Sequence, residues 1–168
     1  MQGFVENILT DKKPLARYHH LSDGNNSGTT ETDVFVDTIP GNILSKDGDS
    51  MEFIYGIVVA ATAAGKTIKV YFGGNVIFNS TNDFTDLGGS NVYNLYLRIL
   101  VIRDSSTSIR IIADMSAGFF NAGFFYVLTE YFNITGLTLS NSRTVKITAK
   151  GGASNDVTIG FGKIYFST

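Results

Sequence analysis

Cysteine and tryptophan are absent from this sequence, and histidine and proline each occur only twice. Without cysteine there is no disulfide and no thiolate metal site. Both histidines, His19 and His20, lie near the N-terminus, so the rest of the chain has no imidazole for Ser–His or Cys–His catalysis. Neighbouring histidines on an extended segment point apart, which makes a poor chelate, and no carboxylates stand at ligand spacing from them. They read as surface residues, or as a subunit contact that would make assembly mildly pH-sensitive. Charge is scarce too: 17% of residues are charged and the net charge is −2. That provides no basic field for nucleic acid. No apolar run approaches the roughly 18–20 residues that cross a bilayer as a helix, so no membrane partner is expected. Glu6 and Asp11 interrupt the apolar part of the N-terminus and no small-residue cleavage site follows. The expectation is a protein made without a secretory signal.

What the chain does have is apolar residues (43%), 18 glycines, and many Ser, Thr and Asn. With 168 residues, this suits one all-β domain with many turns. Residues 47–79 set the pattern. Asp47-Gly48-Asp49 signals a turn and an apolar run follows from Met51 to Ala61. Ile68, Val70 and Phe72 then alternate with Lys69 and Tyr71, Gly73-Gly74 turns the chain, and Val76-Ile77-Phe78 resumes. Period-2 alternation between turn residues predicts strands. Further strands are expected over residues 33–39, 92–103, 107–115, 124–134 and 143–150. The first carries Val34 and Val36, with Ile39 at its end. In the last strand, residues 156–166, Val157, Ile159 and Phe161 share one parity while Ile164 and Phe166 share the other. Such a slip requires an extra residue, so a β-bulge is predicted between the flanking Gly160 and Gly162.

About eight antiparallel strands and no credible long helix point to a two-sheet β-sandwich. Uneven loops, some of them long (residues 79–91 and 115–123), favour a jelly roll over an up-and-down barrel. Residues 32–168 are expected to form that domain. Residues 1–31 read as an N-terminal arm and linker: Phe4, Val5, Ile8 and Leu9 fall on one face of a short helix, Pro14 ends it, and residues 22–30 are polar and Gly-rich. The arm either covers the outside of its own domain or anchors to a neighbour, and the neighbour is preferred. Leu15 and Tyr18 join Phe4, Val5, Ile8 and Leu9 as the anchoring residues. Strands 51–61, 92–103 and 124–134 are apolar on both faces, although one face suffices for a sandwich. Either amphipathic tyrosines lie in water, or subunits pack there. The expected interface residues are Tyr55, Tyr96, Arg98, Tyr126 and Tyr131.

Several segments carry a resemblance: Thr30-Glu31-Thr32-Asp33-Val34, Ile39-Pro40-Gly41-Asn42-Ile43-Leu44, and Asp47-Gly48-Asp49-Ser50-Met51-Glu52-Phe53. With them go Lys66-Thr67-Ile68-Lys69-Val70-Tyr71-Phe72-Gly73-Gly74, Val76-Ile77-Phe78-Asn79-Ser80, and the closing Asp156-Val157-Thr158-Ile159 and Ile164-Tyr165-Phe166. Over roughly residues 30–168 the pattern resembles small jelly-roll virion proteins of tailed bacteriophages. The resemblance implies a structural protein without enzymatic activity or cofactor. Such domains serve as capsid decoration or cement, head fibres or tail-fibre tips, usually as homotrimers. The implied partners are its own copies and the major capsid protein or other virion subunits. The implied location is the virion, after synthesis in the host cytoplasm. A lectin-like tail-fibre domain binding host glycan through residues 79–91 and 115–123 is the alternative.

The chemical motifs are weaker. Residues 60–67, ending Gly65-Lys66-Thr67, satisfy a permissive Walker A pattern. That chemistry needs a helix after the loop, and a strand pattern follows instead, so Lys66 reads as a solvated turn lysine. Asp47, Asp49, Asp83 and Asp86 match no known Ca²⁺ or glycosidase arrangement, and turn chemistry accounts for Asp-Gly-Asp. Phe119, Phe120, Phe124 and Phe125 read as core or interface rather than a sugar platform.

Overall fold

Alternation decides most of the strands. In Ser50–Val59, Met51, Phe53, Tyr55, Ile57 and Val59 fall on one side and are buried. The computed structural model describes residues 15–20, 24–60, 65–80, 93–119 and 125–167. They form eleven strands: β1 (Leu15–His20), β2 (Gly24–Ser27), β3 (Thr32–Ile39), β4 (Ser50–Val59), β5 (Thr67–Phe72), β6 (Asn75–Asn79), β7 (Tyr93–Ser105), β8 (Ser108–Phe119), β9 (Phe125–Thr135), β10 (Arg143–Lys150) and β11 (Ser154–Ser167). Every pairing is antiparallel. One sheet has seven strands in the order β1-β11-β4-β7-β8-β9, with β2 also on β11. The other has four, in the order β3-β10-β5-β6. The chain is thus an all-β sandwich of two antiparallel sheets.

The inner faces meet in one core, in which the rings of Phe53 and Tyr55 stack and Phe72 tilts against Phe53. Asp47-Gly48-Asp49 turns the chain into β4. One carboxylate oxygen of Asp49 accepts from the backbone N–H of Ser45 at 2.8 Å and of Lys46 at 2.7 Å, and Gly48 takes a φ of 91°. Arg103 pairs with Asp47 at 3.0 Å. The aspartates of this turn are therefore held by protein donors, as turn chemistry requires.

The bulge in β11 is present. Ile159 lies opposite Ile57 and Phe161 opposite Gly56, which leaves Gly160 as the extra residue. Val157 and Ile159 before it, and Ile164 and Phe166 after it, all face the core. Phe161 falls beyond the slip and points outward. A second bulge corrects the reading of β3. Phe35 lies opposite Ile147 but Asp33 opposite Thr148, so Val34 is extra. Val34 is buried while Val36 is exposed.

Three expectations from the sequence change. First, residues 15–20 and 24–27, read as part of an arm and linker, are strands of the large sheet. β1 pairs with residues 162–166 of β11, and β2 pairs with Ser154, Thr158 and Ile159 along the same edge. Strand pairing needs only backbone, so the polar side chains of this segment hid it. Leu15 and Tyr18 belong to β1, whereas Phe4, Val5, Ile8 and Leu9 lie outside the described residues. Second, the strands among the described residues number eleven rather than about eight, with β1 and β2 added to the large sheet, and residues 115–119, read as loop, lengthen β8. Third, Lys66 precedes a strand as expected but is buried, not solvated. Burial lowers its pKa, and the negative charge of Asp156 opposes that shift.

Candidate interface: the outward face of the large sheet

Register places side chains of five strands in rows across the outward face. One row runs Val127 (β9), Ser116 (β8), Tyr96 (β7), Gly56 (β4), Phe161 (β11). The next, two residues along, runs Thr129, Asp114, Arg98, Ile54, Lys163. The third runs Tyr131, Ile112, Leu100, Glu52, Tyr165. The middle row and Glu52 carry the polar contacts. Arg98 pairs with Glu52 and, at 3.5 Å, with Asp114, which also accepts from the Thr129 hydroxyl at 2.9 Å. The hydrogen bond to Glu52 raises the Arg98 pKa, outweighing partial burial. An arginine satisfied by two carboxylates can be covered at lower cost than a free one.

Around this charged band the face is apolar. Of the seven large hydrophobic side chains exposed among the described residues, five lie here: Val58, Tyr96, Val127, Tyr131 and Phe161. Val58, Tyr96 and Phe161 line a groove of about 430 Å³. Gly56, Gly118 and Gly160 are among its lining residues, with Tyr96 and Phe161 beside them. The Phe161 ring lies so close over Gly56 that a Cβ there would stand 2.0 Å from it. Glycine at 56 is what lets the bulged strand lay its aromatic flat on the sheet.

The opposite outward face, on the small sheet, is polar. Glu31 accepts from Lys69 at 2.6 Å, Thr148 at 2.7 Å and Tyr71 at 2.9 Å. Burial would raise the Glu31 pKa, but these three hydrogen bonds lower it on balance. Lys146 pairs with Asp33 at 3.1 Å and sits 5.1 Å over the Tyr71 ring. Only Val36 and Val76 are exposed large hydrophobics there. The two faces therefore differ in chemistry: one is satisfied by its own ion pairs, the other is left with apolar area.

The residues expected at an interface divide. Tyr96, Arg98 and Tyr131 share the apolar outward face. Tyr55 does not belong to it: its side chain is fully buried between the sheets. Its parity with Phe53 and Ile57 signals this, and its amphipathic character was the wrong guide. Tyr126 lies in β9 opposite Ala117, and its side chain is outside the described residues. Sequence reasoning missed Val58, Val127 and Phe161. Phe161 was recoverable, since a bulge after Ile159 reverses the parity of every residue beyond it. Of the glycan-loop residues, 81–92 and 120–124 lie outside the described residues. Asp83 and Asp86 fall there, as do Phe120 and Phe124. Among the described residues, no three His, Asp or Glu side chains are grouped to hold a metal ion. No helix among them is long and apolar enough to cross a membrane. No protein-family model matches this chain, and no curated protein is similar to it.

Proposed function

We propose that this chain is a structural protein of a bacteriophage virion, a capsid decoration or cement protein that acts as a homotrimer and carries no enzymatic activity. The observation behind this reading is the outward face of the large sheet, which holds five of the seven exposed large hydrophobics among the described residues. An apolar face of this extent on a sandwich that already has a complete core marks a packing surface. Three copies are what the resemblance to phage virion proteins implies, with the major capsid protein as the further partner.

The strand order supports a jelly-roll reading. The chain passes between the sheets at each step from β2 to β5, from β6 to β7, and from β9 to β11, while β5 and β6 form a hairpin within the small sheet. The orders β1-β11-β4-β7 and β3-β10-β5-β6 are those of two interlocked Greek keys. On this reading β8 and β9 are an added hairpin that widens one sheet.

Tyr96 sits near the middle of the apolar face, so Tyr96→Lys tests the role of that face. Sedimentation of the wild-type chain should give a mass that is a multiple of three 18.2 kDa chains. The variant should lose the factor of three while keeping its far-UV spectrum. A wild-type mass without that factor, or a variant that keeps it, would refute the three-fold reading.

A further inference from the structure

Open sheet edges expose unpaired N–H and C=O groups, and soluble proteins blunt them with charge, proline, shortness or a bulge. Three edges of this sandwich are blunted. β3 carries Asp33 and Asp37, contains the Val34 bulge, and is followed by Pro40. β6 has five residues and an extra residue at Ile77. β1 has six, with Arg17 extra, and shares its edge with the four-residue β2.

The β9 edge is different. It is eleven residues long and its register on β8 is unbroken from Phe125 opposite Gly118 to Thr135 opposite Ser108. It contains no Lys, Arg or Pro. Its one guard is the acid Glu130, which lies opposite buried Ala113 on the inward-facing register. Val127 and Tyr131, 61% and 73% exposed, are the most exposed large hydrophobics among the described residues. No described strand pairs on the far side of β9.

We infer that β9 is an assembly edge that pairs antiparallel with β9 of a second copy about a two-fold axis. Only an extended backbone satisfies such an edge, and the sequence of β9 selects its own copy. An axis at Thr129 sets Val127 opposite Tyr131 of the second copy, and the symmetry repeats the pair. Aromatic and β-branched residues placed opposite one another are favourable cross-strand partners. An axis at Glu130 would instead oppose two carboxylates, which disfavours that register. The pairing joins two seven-stranded sheets and makes their apolar outward faces continuous. It stands apart from the three-fold reading, because it doubles whatever the middle of that face assembles.

The test introduces the missing guards. Thr129 and Asn133 are exposed and are not among the five hydrophobics of the outward face, so Thr129→Lys with Asn133→Lys adds edge charge without removing that face's apolar side chains. Sedimentation of the wild-type chain should show an even number of chains, and the double variant should show half that number. Tyr96→Lys, two strands from the edge, should leave the factor of two intact. Amide exchange supplies a readout independent of the variants. Alternate β9 amides in the wild type should exchange faster as the protein is diluted below its association range. An odd wild-type number, a mass unchanged in the double variant, or β9 exchange independent of concentration would overturn the proposal.

Discussion

The phenol of Tyr55 is enclosed between the two sheets with no hydrogen-bond partner for its hydroxyl. Burial raises its pKa well above the ordinary phenol value, and the charge of Asp37 adds to the shift. The ring itself is well used, stacked on Phe53 and edge-on to Phe35 at 5.9 Å. Only the oxygen is costly, because a buried, unpaired polar group loses its hydration and gains nothing. Tyr55→Phe should therefore stabilise the fold by about 1 kcal/mol. In a chain of this size that raises the melting midpoint by roughly 2–4 °C. A calorimetric midpoint equal to or below that of the wild type would mean the hydroxyl has a partner. The same residue marks where reading the sequence fails. Alternation with Phe53 and Ile57 placed Tyr55 inward, but its chemistry suggested a wet interface, and in a strand buried on one face the parity decides.

Among the elements, legibility follows side-chain pattern. β5, β8 and β10 alternate visibly in sequence because one face of each is core, β4 and β7 alternate in burial although apolar on both faces, and the bulge of β11 shows because it breaks the alternation at a glycine. β1 and β2 leave no such trace. Gly-Asn-Asn-Ser has the composition of a linker, yet β2 is pinned by one side chain. The Asn26 amide donates to the carbonyls of Ala153 at 2.8 Å and Gly28 at 2.9 Å, while its oxygen accepts from the Val157 N–H at 2.8 Å. The register of β2 on β11 is interrupted between Ser154 and Thr158, and the amide fills the gap in the ladder. Nearby, Asp156 accepts from the N–H groups of Gly152 and Ala153, closing the β10–β11 turn against the same asparagine. Asn26→Ala would strand the buried Val157 N–H and two carbonyls. The expected loss is about 2 kcal/mol. It should appear as a lower urea midpoint with an unchanged slope, together with faster exchange of the Val157 amide. A midpoint shift below about 0.5 kcal/mol, the level of an ordinary surface change, would show that β2 is held by its backbone alone.

For the whole molecule, the pinning of β2 changes what counts as the arm. With β1 and β2 on the edge of β11, residues 1–14 are the part of the expected arm that lies outside the described residues, and on the proposed virion role they are the candidate anchor. β1 lies five strand positions from β9, about 24 Å across the large sheet at the usual strand spacing. β1 is therefore remote from the β9 edge. Anchoring and edge pairing can thus be separated by truncation. On the proposed virion role, removing residues 1–14 should leave the melting midpoint and the assembled mass unchanged while abolishing occupancy on capsid shells. Removing residues 1–27 should lower the midpoint as well, because β11 then loses β1, β2 and the Asn26 clasp. Both chains are to be measured for shell binding by co-sedimentation, with the midpoint as the control for folding. Full occupancy by the shorter truncation would eliminate residues 1–14 as the anchor and move the contact to the sandwich itself. An unchanged midpoint in the longer truncation would contradict the pairing of β1 and β2 with β11.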